Sequence, residues 1–295
     1  MKLIDINSRP PLPAFGSKGS HLSNYRRVYE ASESKVHESL SEYLEMYESL
    51  QCEHVIIKAK DVETTFGVKI SNEEVAQFCR EHGPRFIGWA GVDPNKGKIA
   101  VEELHYAVRE LGLRGLNLQC FEHKTAINDP KMYQLYHACV ELDIPVGIHC
   151  GVNFSTDCLI SSGRPYLLDE VMVNVPGLRV LAAPPGWPWV HELIAVAWRH
   201  SNLYIGLSAV RPKYLTKVGS GYEGLVAYGS SVLQNQIVFG SAYPMQPLGR
   251  AVDEMKTLPL TEEVLRKWMY ENSARLLRVS GTGKTACTAA TVGAG

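Results

Sequence analysis

The chain has 295 residues, 45% of them hydrophobic and 21% charged, with a formal net charge of −1. That length admits one large barrel or two ordinary domains. A near-neutral chain has no long-range field to draw nucleic acid or an anionic membrane, so neither partner is expected. The apolar runs are strand-length, far short of a bilayer span. Met1-Lys2 leads straight into an apolar strand without an h-region of signal length, so no secretory signal is expected. The seven cysteines are odd in number and scattered, with no Cys-x-x-Cys, a pattern of reduced thiols that predicts a cytoplasmic protein.

In chain order, Lys2 to Pro10 reads as a first strand. Ser34 to Leu50 is a predicted helix, with Val36, Leu40, Tyr43 and Met46/Tyr47 at helical spacing. Strand His54–Ile57 follows, then strand Arg85–Ala90, which ends in the turn Val92-Asp93-Pro94-Asn95. Helix Ile99–Leu111 leads to a glycine-marked strand, Leu113–Leu118. Asp129-Pro130 opens a helix over Lys131–Leu142, with proline at the first turn, where its missing donor costs little. The alternation continues with strand Pro145–His149, helix Tyr166–Asn174, strand Leu178–Ala183 and helix Val190–His200. Strands Leu203–Leu207 and Gln236–Gly240 and a closing helix, Thr261–Leu277, complete it.

Eight strands separated by helical or long-loop segments predict an α/β fold, a single-domain (β/α)8 TIM barrel over residues 1–279. A doubly wound sheet would more often carry a phosphate-binding glycine cluster after an early strand, and none is present. Ser280 to Gly295 is rich in Ser, Gly, Thr and Ala and poor in large apolar residues, so a disordered tail is expected there. Within it, Gly281-Thr282-Gly283-Lys284-Thr285 is only superficially a phosphate loop. Arg278 stands where the first glycine belongs, and neither a preceding strand nor a following helix is expected.

Several segments, in order, resemble the amidohydrolase-related barrels of the aminocarboxymuconate-semialdehyde decarboxylase type. They are Phe86 to Pro94 (third strand), Leu111 to Leu118 (fourth), Ile144 to Gly151 (fifth), Phe239 to Pro244 (eighth) and Asn272 to Leu277 (closing helix). The resemblance implies metal ligands at the strand ends: two histidines on strand one, one each on strands five and six, and an aspartate on strand eight. At those positions this sequence has Asn7, Arg9, His149, Pro184 and Ala242. A catalytic zinc needs about three protein ligands, and one imidazole beside a guanidinium cannot supply them. No metal and no other cofactor is therefore expected.

In the absence of a metal, His149, with a pKa expected near neutrality, is the first candidate acid or base, the even alternative being a relic histidine hydrogen-bonded to its surroundings. Arg9 is a candidate to clamp a carboxylate or stabilise an oxyanion, with Asn7 on the same strand face, the alternative being a salt bridge that fills the old metal position. Tyr243 is a further candidate proton donor, although its place in the family motif makes packing the favoured reading. Arg164, on the loop after strand five, is a candidate second cation, the alternative being a solvated loop arginine. Trp187 and Trp189 are expected to wall a flat substrate or to form a subunit contact. Glu122, His123, Lys58 and Lys60 are candidate rim residues, each equally at home facing water. Cys150, beside His149, points to the opposite strand face and is no nucleophile pair.

The resemblance implies small carboxylates or lactones as substrates, processed by hydrolysis, isomerisation or decarboxylation without a family-type metal centre. The alternative is a non-catalytic partner of an active, metal-dependent related barrel. The family's habit implies a homodimer, and the alternative a heteromer with a related barrel chain.

Overall fold

The computed structural model describes residues 1–16, 19–30 and 39–279. Eight parallel strands follow one another around a barrel in sequence order. They are β1 (Leu3–Ser8), β2 (Cys52–Lys58), β3 (Phe86–Gly91), β4 (Leu116–Leu118), β5 (Val146–His149), β6 (Val180–Ala183), β7 (Leu203–Gly206) and β8 (Ile237–Val238). The seam between the last strand and the first is closed by backbone bonds. The Ile6 amide donates to the Phe239 carbonyl at 3.3 Å, and the Arg9 amide to the Tyr243 carbonyl at 3.0 Å. Every expected barrel strand is present, most of them shorter than the apolar run that signalled it. The expected tail and its Gly281–Thr285 segment lie outside the described residues, as does the start of the helix expected from Ser34.

Local chemistry explains where the helices start. Ser39 and Glu42 form a reciprocal capping box at the head of Leu40–Ser49, and Ser71 and Glu74 form another at the head of Asn72–His82. Asp129 accepts from the Lys131 amide with Pro130 at the first position, as its spacing predicts. The closing helix differs from its expected form. It runs as Glu262–Arg266, a π-helical turn over Lys267–Glu271, and Asn272–Leu277. Trp268, fully buried, packs where Gly229 leaves room: a Cβ there would lie 2.4 Å from the indole.

Side-chain alternation sorts the core into two shells. Ile4, Ile6, Ile56, Ile87, Trp89, Leu181, Tyr204 and Val238 fill the barrel interior, while a larger cluster lies between strands and helices. Glycine makes space for the interior side chains: a Cβ at Gly115 would lie 2.4 Å from Trp89, and one at Gly206 2.6 Å from Ile6. No helix among the described residues is long and apolar enough to cross a membrane.

The register of β1 decides what enters the cavity. Asp5 pairs with Val55 and Ser8 with Ile57, so three steps on β1 oppose two on β2, a bulge. Asp5 and Ser8 therefore both face outward. Asp5 accepts from the Tyr47 hydroxyl at 2.9 Å and the Ser241 amide at 2.9 Å, and Ser8 bonds the hydroxyls of Tyr43 and Tyr47. The bulge returns Asn7, and with it Arg9, to the interior side already occupied by Ile4 and Ile6.

Candidate active site

At the C-terminal ends of the strands, where barrel loops assemble sites, a cavity of about 200 Å³ opens. Strand alternation places its residues. β2 continues inward from Ile56 to Lys58, β5 from Gly147 to His149, β6 from Leu181 to Ala183, and β4 and the residue after it contribute Asn117 and Gln119. Asn7, Arg9, His149, Pro184 and Ala242 all line this one cavity. The five positions at which the resemblance implies metal ligands thus converge, although His149 alone among them carries a metal-ligating side chain of the implied kind. The Asn7 amide donates to Ser208 Oγ at 2.9 Å. Among the described residues no three His, Cys, Asp or Glu side chains come together to hold a metal. One imidazole beside the cations of Arg9 and Lys58 does not fit a divalent ion.

Charge in the cavity is uneven. Burial lowers the pKa of Arg9, and Glu122 opposes the effect. Lys58 is pushed down to about 8 by burial, with Asp5 pulling the other way. The Lys58 ammonium lies 5.6 Å from the Trp89 ring centre and makes no hydrogen bond or ion pair among the described residues. Lys60 is different: its Nζ is 2.8 Å from Glu122 Oε1, which also meets His21 Nε2 at 2.8 Å. Buried Glu122 is nevertheless held down to about 2, because Lys60 and His21 outweigh desolvation. An ionised carboxylate can only accept, so His21 Nε2 carries the proton in this contact. Lys60 and Glu122 cancel, and Arg9 and Lys58 bring two further basic side chains to the cavity wall.

His149 departs from its expected pKa. Burial drives it down to about 4; Glu122 acts to raise it and Lys58 to lower it further. At neutral pH it is an uncharged imidazole, able to accept a proton or hand one on but not held as an acid. Its ring packs edge-on against Phe121 at 4.5 Å, and Nδ1 is buried without a hydrogen-bond partner among the described residues. Phe121, Phe154 and Tyr25 give the cavity an aromatic side.

Three of the expected site residues and Tyr243 lie elsewhere. Arg164 is 51% exposed and holds Glu192 through both Nε and a terminal nitrogen, so it is not a cavity cation. Trp187, 40% exposed, and Trp189 do not line the cavity. Tyr243 is a core residue, its ring 5.4 Å from that of Tyr43, and it too is absent from the cavity wall. Of the rim candidates, Lys58, Lys60 and Glu122 line the cavity, whereas His123 is buried with Nε2 on the Asp61 carbonyl at 2.9 Å. Lys58 was legible as an interior residue, because it stands two positions beyond Ile56.

Residues 23–279 match the amidohydrolase family profile. A γ-resorcylate decarboxylase of Rhodococcus jostii (strain RHA1) is 23% identical, the alignment covering 71% of this chain and 75% of that protein. Among solved structures, an uncharacterised TIM-barrel protein of Bordetella bronchiseptica superimposes with a TM-score of 0.81 at 26% identity, covering 94% of this chain and 99% of the other. A 5-carboxyvanillate decarboxylase of Sphingomonas paucimobilis superimposes at 0.69 with 17% identity, covering 95% and 99%.

Proposed function

This chain belongs to the amidohydrolase family, and from that premise we propose that it decarboxylates a small, flat, ring-derived carboxylate without a family-type metal centre. The observation that carries the reading is the cavity itself, which sets the cations Arg9 and Lys58 against an aromatic side of Phe121, Phe154 and Tyr25. The names of two relatives, a γ-resorcylate and a 5-carboxyvanillate decarboxylase, support the same substrate class.

Each residue has a task in this reading. Arg9 offers two parallel N–H groups to the carboxylate, a geometry that fixes its plane as well as its position. Lys58 adds a point charge from the adjacent strand. His149, neutral at working pH, takes and returns the proton that replaces the departing carboxyl on carbon. The balance is simple: the bond from carbon to the carboxyl group breaks, CO2 leaves, and a proton takes its place.

The test is CO2 release from γ-resorcylate, 5-carboxyvanillate and related hydroxybenzoates, paired with metal analysis of the same purified sample. Turnover with metal far below one equivalent, unchanged by a chelator, is the expected result. Stoichiometric zinc or manganese, or activity abolished by the chelator, would overturn the metal-free reading. Absence of CO2 release from every carboxylate, with co-purification of a second barrel chain, would favour a non-catalytic partner instead.

A further inference from the structure

Decarboxylation needs somewhere to place the electron pair left behind on carbon. The residues at the ligand positions do not fit a metal ion that would receive it, so the pair passes to a group on the substrate itself or to one that a protein side chain forms with it. We propose that Lys58 is an imine-forming nucleophile and that the cavity accepts a carboxylate with a ketone one carbon removed, an aromatic 3-oxo acid. This rests on the decarboxylase reading and names its substrate.

Geometry comes first. Lys58 is the last residue of β2, its side chain lines the cavity, and no carboxylate pairs with it among the described residues. The neighbouring cation is Arg9, one strand away in the same wall, and Lys60 is already occupied by Glu122. Desolvation in a buried pocket is an environment that activates lysine as a nucleophile, and burial is what lowers the pKa of Lys58. The depressed pKa of about 8 leaves about a tenth of the Lys58 side chains neutral at pH 7, against well under a thousandth for an ordinary lysine.

The steps balance with water alone as co-reactant. Neutral Nζ adds to the ketone carbon while the carbonyl electron pair moves to oxygen. A proton passes from nitrogen to that oxygen, with His149 in the same cavity to relay it, and protonation expels water to give an iminium. With the carboxylate held by Arg9, its bond to carbon breaks, CO2 leaves, and the pair flows into the iminium to form an enamine. The enamine carbon takes a proton, and water hydrolyses the iminium to release the ketone and restore Lys58. The ketone must sit at the 3-position, since only there does the released pair reach the iminium.

The full-length protein is incubated with benzoylacetate and sodium cyanoborohydride, digested, and mapped by mass spectrometry, with benzoate as competitor. The expected result is one reduced adduct per chain on Lys58, suppressed by benzoate and lost in Lys58→Arg. Labelling needs no variant in the wild-type sample, so a Lys58→Arg protein that fails to fold does not weaken the test. No adduct, or adducts only on other lysines, overturns the inference. If hydroxybenzoates are decarboxylated all the same, the broader decarboxylase reading stands without it. If neither substrate class is turned over, both fail together.

Discussion

Glu122→Gln tests whether one buried carboxylate organises the mouth of the site. In the folded protein Glu122 is ionised at nearly all pH values, held at about 2 against an ordinary 4.5. That difference of about 2.5 corresponds to about 3 kcal/mol of stability. A depressed carboxylate stabilises the fold fully above its unfolded pKa and ceases to do so as pH falls through its folded value, so this contribution is lost between about pH 4.5 and 2. Replacing Glu122 by Gln removes that stabilisation and leaves Lys60, only 9% exposed, without its counter-charge, a total cost of roughly 3–5 kcal/mol for breaking the buried pair. Urea unfolding of both proteins at a series of pH values measures the gap. It should be roughly 3–5 kcal/mol at pH 7 and shrink by about 3 kcal/mol toward pH 2. Because His21 is anchored on the same carboxylate, Leu22 and Tyr25 should lose hold of the cavity, and amide exchange over 20–25 should quicken in the variant. A gap that stays constant with pH, or a variant as stable as wild type at pH 7, would refute the reasoning.

The His149 imidazole should titrate by NMR near pH 4, and the midpoint should rise in Lys58→Met, because the Lys58 charge is one of the influences depressing it; a wild-type midpoint at 6.5 would contradict this. Gly115→Ala forces a Cβ to 2.4 Å from the Trp89 indole at the barrel's centre, and overpacking there should cost about 1–3 kcal/mol in urea unfolding. Arg164→Ala, which removes only an exposed pair with Glu192, should leave the melting temperature and CO2 release unchanged. A large loss of activity would return Arg164 to the site.

What could be read from the sequence, and what could not, follows from the range of the interactions involved. The eight strands were legible because a barrel strand covered on both faces is an apolar run; all six residues of β3 are buried. The hairpin formed by Lys60–Val62 and Val68–Ile70 was not, since three-residue strands carrying Lys and Asp give no readable period. Arg9 and Asn7 reach the cavity only because of the bulge between Asp5 and Ser8, which depends on pairing with β2 some 50 residues away in sequence. The pairing of Arg164 with Glu192 and the charge state of His149 are likewise long-range: one needs a partner 28 residues distant, the other a buried environment and the charge of Lys58.

On the proposed reading, the same two cations disfavour a metal ion and favour a carboxylate in the cavity. At a separation of about 6 Å and an effective dielectric of about 20, a divalent ion and a single cation repel by about 5 kcal/mol. Restoring one ligand would therefore not restore a metal site here. Asn7→His alone would add an imidazole while Arg9 and Lys58 still opposed the ion, and three ligands would still be lacking. A carboxylate entering the same space meets attraction of the same order with the opposite sign. Loss of ligands and gain of anion affinity are thus one electrostatic change, and a variant that neutralises Lys58 should weaken benzoate binding without creating affinity for zinc. Isothermal titration with each would decide it: zinc binding gained in Lys58→Met alone would mean that charge, and not the missing ligands, keeps the metal out.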